Sequence, residues 1–277
     1  MNGPAVQAET IKPYSLYAQP ILYKGLSFKL LTGRHYALYC RCSQDEARTL
    51  LRQLDAFYER EYAQFFVNPV ADKTRIVLFQ DELEYRRSVN APDGQWAHYD
   101  PALKISLSYY QKNPGALFHE SVHRWLDANY HSGAALWFNE GFASYFESPM
   151  LKADGSWQYQ KVNFRIQSLA QQDWRPLTDL MRRIDLRYPT DKAQARALFA
   201  YLADRGLLRD YVRQYLETCF GDPDGIAALE LVLHAPLGQI DLDLQEWVHK
   251  HGAPATGETS KSIDQRGSVA LRELFQF

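Results

Sequence analysis

The segment His119-Glu120-Ser121-Val122-His123 puts two imidazoles four residues apart. In a helix that spacing places both rings on one face, a turn apart, where they can ligate a single metal ion. Glu120 projects beside them and can reach a metal-bound water without being a ligand. Zinc lowers the pKa of such a water towards ~7, and a nearby carboxylate takes its proton as it attacks a carbonyl. The same carboxylate can then protonate a leaving amine. A catalytic zinc site needs three protein ligands and an open position. Sixteen residues separate His123 from Glu140, which falls within Trp137-Phe-Asn-Glu140-Gly-Phe-Ala-Ser-Tyr-Phe-Glu147. After a turn at Ser132-Gly133 this segment reads as a helix antiparallel to the first, which aims Glu140 back at the histidine face. Glu140, Ser144 and Glu147 share one stripe of it. Trp137, Phe138, Phe142 and Phe146 surround that stripe, and carboxylates are costly to bury there unless paired or metal-bound.

The elements that must hold these residues follow from periodicity and caps. Asn113 caps, Pro114 takes the first helical position, and the histidine helix runs to about Tyr130. Upstream the pattern is mixed. Strands are expected at Leu26–Leu31 and Tyr36–Cys42, joined by a turn at Thr32-Gly33-Arg34. Ser43 and Glu46 form a capping box that opens an amphipathic helix to about Phe66. Arg75–Gln80 is a short apolar run, Asp81 caps a helix through Arg87, and Lys104–Tyr110 reads as a strand. Downstream, helices are expected at 135–148, 158–172, 176–184, 191–204, 206–219, 224–234 and 242–250. The fold class is therefore α+β. A lead-in (1–25) precedes a mixed N-terminal β-sheet lobe with helices (26–113), then an all-helical C-terminal lobe (114–251) and a flexible, amphipathic-ended tail (252–277), with the active-site cleft between the lobes.

HESVH followed by WFNEGFASYFE resembles the gluzincin metallopeptidases, and more narrowly the peptidase MA-like bacterial group. The likeness covers roughly residues 26–250, and its specific part is 119–147. Tyr99-Asp-Pro101 ahead of the Lys104–Tyr109 strand, and the late helices through Trp247, are similar as well. The resemblance implies a zincin-like fold and a zinc-dependent metallopeptidase that hydrolyses peptide bonds with a Glu-activated, zinc-bound water. It implies one Zn2+ per chain held by His119, His123 and Glu140, with Glu120 as general base. Glu147 would accept a hydrogen bond from a ligand histidine. The implied partner is a peptide or protein substrate, paired along a sheet edge formed by Lys104–Tyr109; a plain structural strand is the other reading. The alternative function is a catalytically weak or inactive module that binds a peptide or partner. One departure supports that alternative. Where the group carries an oxyanion-stabilising tyrosine, this chain reads Asp191-Lys192-Ala193-Gln194-Ala195. Tyr188 is the nearest substitute, with His98, Tyr109 and Tyr201 behind it.

Composition narrows the classes further. With 31 Lys+Arg against 33 Asp+Glu, the chain has no positive excess to grip a phosphate backbone, so nucleic acid is not an expected partner. Cys40, Cys42 and Cys219 are too few for a disulfide framework, and the first two read as small buried hydrophobes on one strand face. No run of about 18 apolar residues suggests a transmembrane helix. The N-terminus carries neither a basic start nor an apolar run, so a cytoplasmic location is expected, or an exported one if Met1 follows a removed signal. Oligomeric state is not legible.

Overall fold

A computed structural model of the chain describes residues 21–252, apart from Lys24, Asp93, His131, Ser132, 154–156 and Arg187. Residues 1–20 of the lead-in, the expected tail beyond Gly252 and turn residue Ser132 lie outside the described residues. The architecture is α+β, with a mixed N-terminal sheet and a largely helical C-terminal part.

The N-terminal part alternates strand and helix as its caps dictate. Strands β1 (Ile21–Tyr23), β2 (Leu26–Thr32) and β3 (Tyr36–Cys40) form an antiparallel meander. Ser43 then accepts from the Glu46 amide while the Glu46 carboxylate accepts from the Ser43 amide, which starts α1 (Gln44–Phe57). The helix continues through a π-helical turn (Tyr58–Tyr62) into α2 (Ala63–Phe65). Next come β4 (Thr74–Phe79), α3 (Glu82–Val89) capped by Asp81, β5 (Ala97–Asp100) and β6 (Ile105–Tyr109). The sheet order is β1-β2-β3-β4-β6-β5, with β3, β4 and β6 parallel and β5 antiparallel on the edge. The edge beside the site is thus β5, not the Lys104–Tyr109 strand, which is paired on both sides. A strand's place in a sheet is set by partners distant in sequence, and four residues, Ala-His-Tyr-Asp, carry too little pattern to announce an edge.

From α4 (Gly115–Tyr130) the chain is mainly helical. It continues through α5 (Leu136–Tyr145), a hairpin of β7 (Pro149–Leu151) and β8 (Trp157–Tyr159), then α6 (Phe164–Leu169) and α7 (Leu177–Met181). The last helices are α8 (Pro189–Asp204), α9 (Leu208–Thr218), α10 (Ile226–Leu233) and α11 (Leu237–Gly252). The hairpin breaks the expected all-helical run. Its Trp-Gln-Tyr strand pairs back on Pro149–Leu151, and α6 starts only where the Asn163 side chain accepts from the Arg165 and Ile166 amides. Cys40 and Cys42, expected as separate hydrophobes, are joined in a disulfide, while Cys219 is buried and free.

Two faces of the sheet are covered differently. Val77, Phe79, Ile105 and Leu107 pack with Tyr85 of α3. On the other face, Leu38, Ile76 and Leu78 join one continuous core with α1, α4 and the later helices. Under α4, β6 presents Ser106 and Ser108, opposite Ile76 and Leu78, and α4 lies against β5 and β6. Two glycines set how closely helices approach the site. A Cβ on Gly115 would stand 1.9 Å from the Glu147 carbonyl oxygen, and one on Gly141 would stand 2.9 Å from the Ala195 carbonyl. These contacts bring the start of α4 against the end of α5, and α5 against α8.

Candidate metal centre

Helix α4 starts where the Asn113 side chain accepts from the Gly115 amide, and it carries His119 and His123 on successive turns. Their Nε2 atoms lie 2.9 Å apart. Helix α5 supplies Glu140, whose Oε2 is 3.8 Å from His119 Nε2 and whose Oε1 is 4.0 Å from His123 Nε2. One ligand atom from each residue falls within 4.8 Å of the other two, a grouping able to hold a metal ion. With bonds of about 2.0–2.1 Å, tetrahedral zinc needs ligand atoms roughly 3.4 Å apart, a value these spacings bracket. A second feature fits a cation. Glu140 Oε2 is buried and receives no hydrogen bond of good geometry. Its closest ionic neighbour is the Lys192 ammonium, with Nζ 3.0 Å away.

The surroundings orient the imidazoles. His123 Nδ1 is 2.6 Å from Asn139 Oδ1, so it donates to that oxygen and leaves the Nε2 lone pair available to a metal ion. His119 Nδ1 has Ser144 Oγ at 3.5 Å and Glu147 Oε2 at 3.9 Å. Glu147 therefore stands on the expected side of His119 but beyond hydrogen-bond length. Two cations and an amide hold it back: Arg165 Nε donates to its Oε1 at 2.7 Å, Arg196 Nε stands 3.8 Å away, and the neutral Asn163 Nδ2 donates at 3.2 Å. Arg196 is fully buried and donates to the backbone carbonyls of Ser144, Gln160 and Lys161, tying α8 to the end of α5 and to the residues after the hairpin. Burial pulls its guanidinium down to about 10.

Glu120 is 6% exposed and lies beside the cluster with the backbone N–H of Tyr99 facing it. Burial pushes its carboxyl up to about 7, with His123 opposing the rise. For Glu140, burial acts upward too, but His119, His123 and Lys192 outweigh it and bring the carboxyl down to about 2. Burial and the neighbouring His123 hold His119 well below the usual imidazole range. The two carboxyls beside the histidines are thus driven in opposite directions, one towards proton exchange near neutrality and one towards permanent charge.

The structure gathers His119, Glu120, His123 and Glu140 at one place, and the oxyanion candidates make their described contacts with other groups. Tyr188 is the residue before α8, 55% exposed, with its ring 6.0 Å from the Arg175 guanidinium and 5.8 Å from that of Arg183. His98 and Tyr109 point to the α3 face of the sheet, where Tyr85 contacts both. Tyr201 is buried near Trp247. The position that does face the cluster is Lys192. Its neighbour Asp191 turns inward to Arg175 at 3.0 Å, and that anchoring directs the next residue at Glu140.

A cleft of about 210 Å³ opens beside the cluster, lined among others by Tyr99, His123, Asp127, Tyr130 and Glu140. Asp127 follows His119 and His123 at the same four-residue interval, so its place on their face was readable from the sequence, as was Asn139 beside Glu140. The proximity of Tyr99 was not. No family model matches the chain, and no curated protein is significantly similar to it. Among the described residues no helix is long and apolar enough to cross a membrane.

Proposed function

We propose that the chain is a zinc-dependent metallopeptidase of gluzincin type, with one Zn2+ held by His119, His123 and Glu140. The observation that carries this reading is the convergence of those three side chains beside a buried Glu120 that is not among the ligands. A structural site would have no need of that carboxylate. When bound, zinc supplies Lewis acidity that polarises a carbonyl and acidifies water. Glu120, poised near neutrality, takes a proton from the attacking water and returns it to the leaving amine. Asn139 fixes the His123 ring through Nδ1. β5, the outermost strand of the sheet among the described residues, offers backbone groups to an extended peptide alongside Glu120. Tyr188 has no part in this reading.

Elemental analysis of the purified chain should find about one zinc per molecule. His123→Ala should remove it. Glu120→Gln should retain zinc and abolish hydrolysis of a mixed peptide library. A metal-free wild type sinks the reading; zinc without cleavage of any peptide favours a peptide-binding module.

A further inference from the structure

We propose that the cleft beside the metal ligands is a subsite for a cationic side chain of the substrate, lysine or arginine, and that Asp127 selects it. This rests on the peptidase reading above and names the substrate class for the same site.

The cleft runs from Glu140 and His123 to Asp127, which lies one helical turn, about 6 Å, further along α4. At about 30 Å³ per water its 210 Å³ holds roughly seven waters, the room one long side chain needs. Its lining contains two carboxylates and no Lys or Arg. Lys192 approaches Glu140 and Arg124 stands 3.8 Å from Asp127, but neither side chain forms part of the cleft wall, and Arg124 is buried. Glu140 is committed to the metal in the proposed site. Asp127 is then the carboxylate left for the substrate.

Asp127 is also held in place. The Tyr99 hydroxyl donates to its Oδ2 at 2.7 Å, while no hydrogen bond reaches Oδ1 among the described residues. The rings of Tyr99 and Tyr130 wall the same space. Aromatic walls accept the aliphatic stem of lysine or arginine and favour a nearby cation, and a carboxylate at the far end pairs the charge. A neutral side chain of equal length would strip water from Asp127 and give nothing back.

The test uses the full chain carrying Glu120→Gln, loaded with zinc, and N-acetylated peptide amides that differ only by lysine or norleucine beside the scissile bond. Fluorescence anisotropy should show the lysine peptide binding about tenfold tighter, the discrimination one charge-assisted hydrogen bond supports. Adding Asp127→Asn, which keeps an acceptor for Tyr99, should bring the two peptides within about twofold. If that variant does not fold, raising the salt towards molar must shrink the discrimination of the Glu120→Gln protein instead. Equal affinities, or a preference that survives Asp127→Asn or high salt, would each overturn the subsite. Cleavage of both peptides alike by a zinc-bearing wild type overturns the subsite alone, whereas a chain that takes up no zinc overturns the peptidase reading.

Discussion

In the proposed metal centre Glu140 would serve two kinds of cation. Its oxygens stand 3.8 and 4.0 Å from the Nε2 atoms of His119 and His123, and its Oε2 also lies 3.0 Å from Lys192 Nζ. An ammonium at that distance competes with a divalent ion for the same charge. At an effective dielectric near 20 the Coulomb energy is several kcal/mol, but the lysine side chain is 40% exposed and solvent screens most of it. Lys192→Met should therefore tighten zinc binding by about tenfold, read by competition with a chelator. Unchanged affinity would mean that the ammonium leaves Glu140 whenever metal binds. At this scale the sequence was informative where residues share a helix: His119, Glu120 and His123 follow from the helical period alone. It was silent on Lys192, because which residue of Asp191-Lys192 turns towards Glu140 depends on Arg175 and Arg183 capturing the aspartate.

The packing of α5 on α8 is what places that lysine, and Gly141 permits it. A Cβ there would lie 2.8 Å from Phe199 Cε2 and 2.9 Å from the Ala195 carbonyl. Alanine gains roughly 1 kcal/mol over glycine in a helix interior. Overpacking against a backbone that cannot swing aside costs about 1–3 kcal/mol. The clash should win, so Gly141→Ala is expected to destabilise the fold by about 1–2 kcal/mol in urea titration; a more stable variant would show that α8 can retreat. Caps made several helices readable in advance, through Ser43 and Glu46 for α1, Asp81 for α3 and Asn113 for α4. The β7–β8 hairpin and the edge position of β5 were not readable. Both depend on pairing between segments too short to carry a period.

Across the whole molecule, contacts distant in sequence hold the helical part together. Asp204, at the end of α8, accepts from Trp247 of α11 at 3.0 Å and pairs with Lys161 ahead of α6. The Lys161 hydrogen bond, then that of Trp247, holds the Asp204 carboxyl below its ordinary value near 3.8. The folded chain thus gives up this proton more readily than the unfolded one. The stabilisation is complete above the ordinary aspartate range and fades as pH falls through the lower folded value. Asp204→Asn should cost about 1 kcal/mol at neutral pH, and the gap from wild type should narrow in urea melts taken towards pH 3. A gap independent of pH would refute that linkage. Periodicity and caps are local, and they made legible the α+β class, most helix starts, and the two helices that bear His119, His123 and Glu140. Long-range packing set the rest: β5 at the edge, Lys192 rather than Tyr188 against Glu140, Glu147 held by Arg165 away from His119, and Tyr99 and Asp127 walling one cleft. Those outcomes turn on competition among side chains far apart in the chain, and local pattern carries no record of it.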